Sequence, residues 1–480
     1  MADPGDSAGE DLRSAEERVL AQSAVFKKEL GLTDLVLTQV LFVIGLSWVG
    51  VAARLGPAHI VFWLLAIVLF YVPTALVVIH LNRLMPLEGG LYQWAKLGFG
   101  ELVGFMVAWN LWLYVIVLTS EIGLIVATNV SYAIGPSASW MAGSKAVIMT
   151  ATLVVTFALI FVSLLGLGVG KWVHNAGGVL LIVIFIALVA LPIVNRAQGS
   201  LTSYHPFAIA MPPLSLFSLN ILGKLGSGAL GGFEYVAIFA GECRNPERTI
   251  GRSVIIAAPL IAVMFILGTS SVLAFLGPDQ VDLIGPIPQV LSLGTRSFGI
   301  ASSIVPVVIL SMLALRLAQA SVNFTANTRL PMVAGWDRLL PDWFTRLHPK
   351  RHTPVNSILF VGAITLGLGL VGVVGVGQQE AFQLFQNAAG TFYALTYLVM
   401  FALPVVGFRG VSPRPSLGLR IAFGSGFLMT LLYVVVSVFP IVAVANQGSF
   451  ATKIAGVIVG SNLVGAAVFL IARRRRAPVL

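Results

Sequence analysis

Only a handful of side chains able to do chemistry lie inside the apolar stretches of this chain. Glu121 sits in Thr119-Ser120-Glu121-Ile122-Gly123, Arg316 in Leu315-Arg316-Leu317, and Lys224 and Glu234 bracket a glycine-rich run. Ionisable groups at membrane depth are expensive to bury and mark functional sites by default. Glu234 can organise the neighbouring backbone by accepting its N–H groups, or it can carry a proton; Glu121 is a second carboxyl suited to proton carriage. Arg316 can neutralise Glu234 or Glu121, bind an anionic solute, or snorkel toward the cytoplasm. Lys224 stands about nine residues into its span, close enough to the outer vestibule to snorkel there or to reach a pocket. Hydrolytic and redox chemistry have no footing, because there is no His/Cys cluster and no phosphate-cradling Gly-x-x-x-x-Gly-Lys-Ser/Thr loop. No enzyme activity, metal or cofactor is expected.

The backbone itself is the stronger chemical feature. Two glycine clusters, Gly45-Leu46-Ser47-Trp48-Val49-Gly50 and Gly226-Ser227-Gly228-Ala229-Leu230-Gly231-Gly232, stand where a membrane helix should run unbroken. Glycine weakens a helix interior by about 1 kcal/mol relative to alanine, and unwound backbone is tolerated in a bilayer only where it is buried in protein or lines a cavity. Small residues also permit close helix packing, but two clusters in corresponding positions point to a solute site between them. An unwound segment offers free N–H and C=O groups at helix-dipole ends, which can hold a zwitterion without charged side chains. Gly45, Leu46, Ser47, Gly228 and Gly231 are therefore the expected backbone contacts: N–H groups after the first break take a carboxylate, and carbonyls of both breaks take an ammonium. Trp48 either closes over the ligand or faces lipid or a neighbouring helix. Ser321, Thr325 and Thr328 offer hydroxyls for a sodium ion where the first and eighth spans approach.

The elements that must position these groups are membrane spans. The chain has 480 residues, 58% hydrophobic and only 10% charged, and a mean hydropathy of +0.95; soluble domains carry about a quarter charged residues. Stretches of the length needed to cross the hydrocarbon core are expected at Asp34–Ala53, Ile60–Leu81, Leu102–Tyr132, Ala146–Leu167, Trp172–Val194, Leu214–Phe239, Ser253–Leu276, Ala301–Phe324, Ser357–Val376, Ala381–Phe408, Leu417–Phe439 and Ile454–Ala472. With both termini cytoplasmic, about 22 of the 29 Lys and Arg residues fall inside, the bias of the positive-inside rule. The net charge of +10 is thus topological and does not call for nucleic acid. Arg473-Arg474-Arg475-Arg476 reads as a stop at the membrane surface. The single cysteine, Cys243, excludes an internal disulfide. The polar N-terminal stretch lacks the apolar core of a signal peptide, so the first span is expected to direct insertion, after a surface helix at Leu12 to Leu30.

If the broken spans are the first and sixth, the chain divides into a cytoplasmic segment 1–32, a first inverted repeat 33–198 (five spans), a second repeat 199–410 (five spans), two further spans in 411–472 and a basic cytoplasmic tail 473–480. The two broken helices would run antiparallel and meet near the midplane. Pro86-Leu87-Glu88-Gly89-Gly90-Leu91-Tyr92-Gln93-Trp94-Ala95-Lys96 reads as an interfacial helix, and the basic link from Arg329 to Pro354 places Trp336, Trp343 and Phe344 at the membrane boundary. His80 and His174 are expected at the interface. Asn129-Val130-Ser131 and Asn323-Phe324-Thr325 match glycosylation triplets by chance, since both fall in or beside spans.

Three of these segments together resemble the amino acid–polyamine–organocation permeases. Pro86-Leu87-Glu88-Gly89-Gly90-Leu91-Tyr92 is similar to a Pro-x-x-Gly-Gly-x-Tyr between spans two and three; Gly232-Phe233-Glu234 through Gly241-Glu242-Cys243-Arg244-Asn245-Pro246-Glu247-Arg248 to the sixth span and its exit; and Arg338-Leu339-Leu340-Pro341 with Thr353-Pro354-Val355 to the link after span eight. The resemblance implies an all-α membrane protein of the LeuT type, twelve spans with a five-plus-five inverted repeat and a site between spans one, three, six, eight and ten. The chain departs from that pattern in three places. Leu46 interrupts a run that commonly reads Gly-Ser-Gly, Gly228 stands where a gate aromatic is common, and no ionisable residue lies between Leu180 and Val194, where some proton-coupled members carry a lysine.

The expected function is a secondary transporter, symporter or antiporter, of a small amine-bearing solute, foremost an amino acid, in the cell membrane, with a proton or sodium ion as possible coupling partner. A polyamine permease, or a sensor or channel on the same fold, is the alternative. Solute identity and oligomeric state stay open.

Overall fold

The computed structural model describes residues 30–84, 90–165, 171–201, 209–211, 213–234, 243, 245–296, 298–299, 301–330, 340–348, 353–408 and 414–476. Among these residues the protein is helical, with one isolated bridge, Leu30 to Cys243, as its extended pairing. The expected surface helix up to residue 29, the residues 85–89, Trp336 and the stretch 235–242 with Gly241-Glu242 lie outside the described residues, as do the side chains of His174, Arg475 and Arg476.

Each of the expected apolar stretches carries helix. Helix α1 is Leu32–Val43 and α2 is Trp48–Ala53; α3 is Gly56–Leu84, α4 Leu91–Phe99, α5 Glu101–Ile134, α6 Lys145–Leu165 and α7 Lys171–Ala197. Then come α8 at Leu216–Gly223, prolonged by a π-helical turn Lys224–Ala229, α9 at Pro246–Phe275, α10 at Pro286–Gly294 and α11 at Ala301–Arg329. The last four are α12 at Val355–Val371, α13 at Gln378–Ala402 with a π turn to Gly407, α14 at Leu417–Val436 and α15 at Gln447–Arg476. Nine helices among the described residues are long and apolar enough to cross a membrane, while α1 and α12 are shorter apolar helices.

Local sequence explains the irregularities. In α3 a π turn at Ile67–Tyr71 precedes Pro73, where the missing N–H and the ring prevent a regular turn. Ser215 starts α8 by accepting the Ser218 N–H at 3.2 Å, the usual role of a serine at that position. Gly90 (φ 46°) and Gly100 (φ 89°) bound α4, turning the chain where a side chain would strain it. The stretch expected to form an interfacial helix carries α4, whose Leu91, Tyr92, Trp94 and Ala95 are buried, the helix packing on α5.

Helices α5 and α13 form the centre, with 56% and 61% of their most apolar stretches buried against 17% for α15. Helix α13 packs on α5 and α14; α1 is held between α7 and α9; α11 lies on the second half of α5; α2 meets the π turn after α8. The outer faces of α6, α7 and α15 expose Val154, Phe157, Phe161, Val183, Ile186 and Leu463, apolar surface that lipid rather than water accepts. Of the aromatics expected at the boundary, Phe344 is buried against Trp112 and Phe360, while its neighbour Trp343 is exposed.

Candidate functional site

The first glycine cluster interrupts the helix as its composition demands. Ile44 turns to an extended ψ of 95°, and short turn bonds, Gly45 N–H to Val43 O at 3.0 Å and Trp48 N–H to Gly45 O at 3.1 Å, replace the regular ladder. Among the described residues the N–H groups of Leu46 and Ser47 and the carbonyls of Ile44 and Leu46 have no hydrogen-bond partner. Ile44 is buried and Leu46 and Ser47 are half-buried, so these four groups are open to a ligand at the end of the interrupted helix.

The second cluster unwinds differently. The helix widens to a π turn from Lys224, Leu230 N–H reaches Gly226 O at 3.1 Å, and the chain then leaves helical geometry at Gly231 and Gly232 (φ 128°). Gly232 N–H donates to Tyr397 Oη at 2.7 Å. Tyr393 and Tyr397 both donate to the Glu234 carboxyl. Glu234 thus braces the unwound backbone through Tyr397, and Tyr393 separates it from the cavity, so it is a support for the site and not one of its walls.

Between the breaks lies a small cavity of about 80 Å³, lined by Gly45, Ser47 and Trp48 on one side, Ser227, Gly228 and Gly231 on the other, and by Tyr114, Arg316, Gln319, Asn323, Gln386 and Tyr393. That is room for a handful of waters. The Trp48 indole closes it: a Cβ on Gly45 would lie 2.6 Å from the indole Cδ1, and one on Gly228 would lie 2.5 Å from its far edge. The missing side chain at Gly228 is therefore the space that Trp48 fills. Gly231 has a similar reason, since a Cβ there would stand 3.1 Å from Tyr393 and 3.3 Å from Tyr397.

Arg316 forms the charged edge. Its guanidinium donates to Gln319 Oε1 at 3.1 Å and lies 3.6 Å from Glu121, whose two carboxylate oxygens each accept from Gln386 at 2.9 Å. Gln319 in turn donates to the Leu41 carbonyl at 2.9 Å, at the end of α1. Arg316 therefore pairs with Glu121 rather than Glu234, and this chain of groups ties α1, α11, α5 and α13 together. Leu46 and Glu121 line a second cavity of about 40 Å³ that shares Ser47 and Arg316 with the first.

Lys224 does not snorkel. It is 1% exposed, its ammonium donates to Asn387, and the Tyr433 ring lies 5.8 Å away. It turns toward α13 behind the cavity wall, whereas its depth of about nine residues into the span had put it within reach of the vestibule or a pocket. Thr325 pairs with Ser163 of α6 at 2.7 Å, Thr328 donates to the Thr325 carbonyl at 2.8 Å, and Ser321 is half-buried; none of the three lines the cavity. Asn129 is 7% exposed and bonded to Ile125 O, no place for a glycan. Sequence reasoning missed Tyr114, Ser227, Gln319, Asn323, Gln386 and Tyr393. The polar spacing 316, 319, 323 on one helix face was the signal available for three of the wall residues. A larger apolar cavity of about 1050 Å³ between α5, α12 and α15 has no ionisable lining among the described residues and touches neither helix break, so the small polar cavity is the candidate site.

Comparison with known proteins agrees with this architecture. A family model described as amino acid permease matches residues 30–460. An uncharacterized transporter of Legionella pneumophila is 25% identical over 413 residues, 85% of this chain and 86% of the relative. The branched-chain amino acid permease BcaP of Lactococcus lactis is 24% identical over 361 residues, 73% of this chain and 75% of the relative. The crystal structure of MhsT in complex with L-phenylalanine superposes with a TM-score of 0.58 at 15% identity, covering 85% of this chain and 98% of that one, which shows a shared fold.

Proposed function

The chain belongs to the amino acid permease family and is a secondary transporter of amino acids, and from that premise we propose that it works by alternating access around its two interrupted helices, with the solute held where Trp48 bridges them. The observation that carries this reading is the indole wedged between Gly45 and Gly228 over a cavity edged by unpaired backbone. The Leu46 and Ser47 N–H groups take the substrate carboxylate, and the Ile44 carbonyl with those around Gly228 and Gly231 takes the ammonium. The interrupted helices open the two inverted repeats, 33–198 and 199–410, so rocking one half against the other exposes the cavity to each side in turn. Both termini lie in the cytoplasm and the protein in the plasma membrane, as the lysine and arginine distribution supports.

The Glu121–Arg316–Gln319 chain and the Glu234–tyrosine cluster supply protonatable carboxyls beside the site. Gln319 already occupies the Leu41 carbonyl and Thr325 faces α6, so a proton suits this arrangement better than a sodium ion at Ser321 and Thr325. A polyamine would need acidic walls, and among the described residues no carboxylate lines the cavity. Counterflow in proteoliposomes tests transport itself: preloaded unlabelled amino acid should drive entry of labelled amino acid, and binding without any exchange would leave only a sensor.

A further inference from the structure

The cavity keeps more polar groups than an amino acid's main chain can use. Ser227, 2% exposed, has a hydroxyl without a partner among the described residues. The Asn323 amide makes no hydrogen bond among the described residues. A guanidinium carries five N–H donors; Arg316 gives one to Gln319 and turns one toward Glu121, and the rest are unpaired among the described residues. Arg316, Gln319 and Asn323 fall on one face of α11 at spacings of three and four, and all three line the cavity.

We propose that this wall reads the substrate's side chain, and that the substrates are amino acids with a side-chain oxygen acceptor, a carboxylate or a carboxamide, held by Arg316, Asn323 and Ser227. The inference rests on the transporter reading above. Among the described residues Arg316 is the one charged side chain lining the cavity, so an acceptor suits it and a second ammonium does not. An apolar side chain sealed in by Trp48 would strand these donors away from water. A site built to hydrogen-bond a substrate group rejects analogues lacking it far more strongly than an apolar pocket rejects a missing methylene. Arg316 stays tethered to Glu121, so its charge is partly balanced and carboxamides are accommodated alongside carboxylates.

The test is counterflow with labelled glutamine and labelled glutamate beside their apolar near-isosteres methionine and leucine, in proteoliposomes of the full chain. Glutamine or glutamate should exchange about tenfold or more faster than either isostere at equal concentration. Asn323→Leu and Arg316→Met should each shrink that ratio, because glutamine and glutamate exchange fall by more than methionine and leucine exchange does. Arg316→Met strips Glu121 of its cation and can impair folding, whereas Asn323→Leu touches no ion pair. Equal or better exchange of leucine by the unmodified protein, or a ratio unmoved by Asn323→Leu, would overturn the proposal and leave the transporter reading standing. No exchange of any amino acid would overturn both.

Discussion

At the scale of single residues, the site depends on groups whose value lies in what they leave open or hold in place. Gly228 is open so that Trp48 can cross between the breaks, and an added methyl would stand 2.5 Å from the indole edge. Gly228→Ala should therefore slow uptake severalfold, and Trp48→Phe in the same protein should recover part of the loss. Non-additive uptake rates across this double-mutant cycle would report the contact; strict additivity would deny it. Glu234 accepts two tyrosine hydroxyls at once. In Glu234→Gln an amide N–H₂ faces one of those donors, and a buried polar mismatch costs about 1–3 kcal/mol. Uptake should fall by about tenfold or more with the protein still folded and inserted by size-exclusion profile, and unchanged uptake would remove Glu234 from the mechanism. The sequence told that Glu234 follows a break. It did not tell that Tyr393 and Tyr397, one helical turn apart on α13 and about 160 residues away, would claim it.

At the scale of elements, the packing around the site is set by glycines at helix crossings as much as by the apolar stretches. Gly123 on α5 lets α6 approach so closely that a Cβ would lie 2.5 Å from the Ile148 carbonyl and 3.0 Å from the Thr152 N–H. Both are backbone, which cannot swing aside, so Gly123→Leu must part the two helices and should cost at least the ~1–3 kcal/mol of ordinary overpacking. A fall in the melting temperature of the purified protein measures it. Gly143→Leu, with nothing within 4 Å of the added Cβ, should leave that temperature unchanged. Spans, their order and the amphipathic α4 were legible in the sequence because length and apolarity alone define them. The facing of Lys224 was not, because its partner Asn387 stands 163 residues away on α13 and no local pattern encodes that contact.

At the scale of the whole molecule, α5, α11 and α13 come together beside the two interrupted helices, and the small polar cavity exists only where they meet. A ligand that binds this closed assembly and not the unfolded chain stabilises it by mass action, about 2.7 kcal/mol at a hundred times its dissociation constant. A thermal-shift screen of amino acids and common amines should accordingly raise the melting temperature for amino acids, and for glutamine or glutamate above leucine. A diamine giving the largest shift would point to the polyamine alternative instead. The sequence by itself determined the membrane class, the helical elements, the position of both breaks and the buried ionisable residues, since each follows from composition along a contiguous stretch. Only the tertiary structure decided that Arg316 pairs with Glu121, that Lys224 turns to Asn387 behind the wall, and that Ser227, Asn323 and Gln386 face the same few waters' worth of space as Trp48. Those are contacts between residues far apart in the chain, and no local pattern of polarity encodes which helix faces will be brought together when apolar surfaces pack.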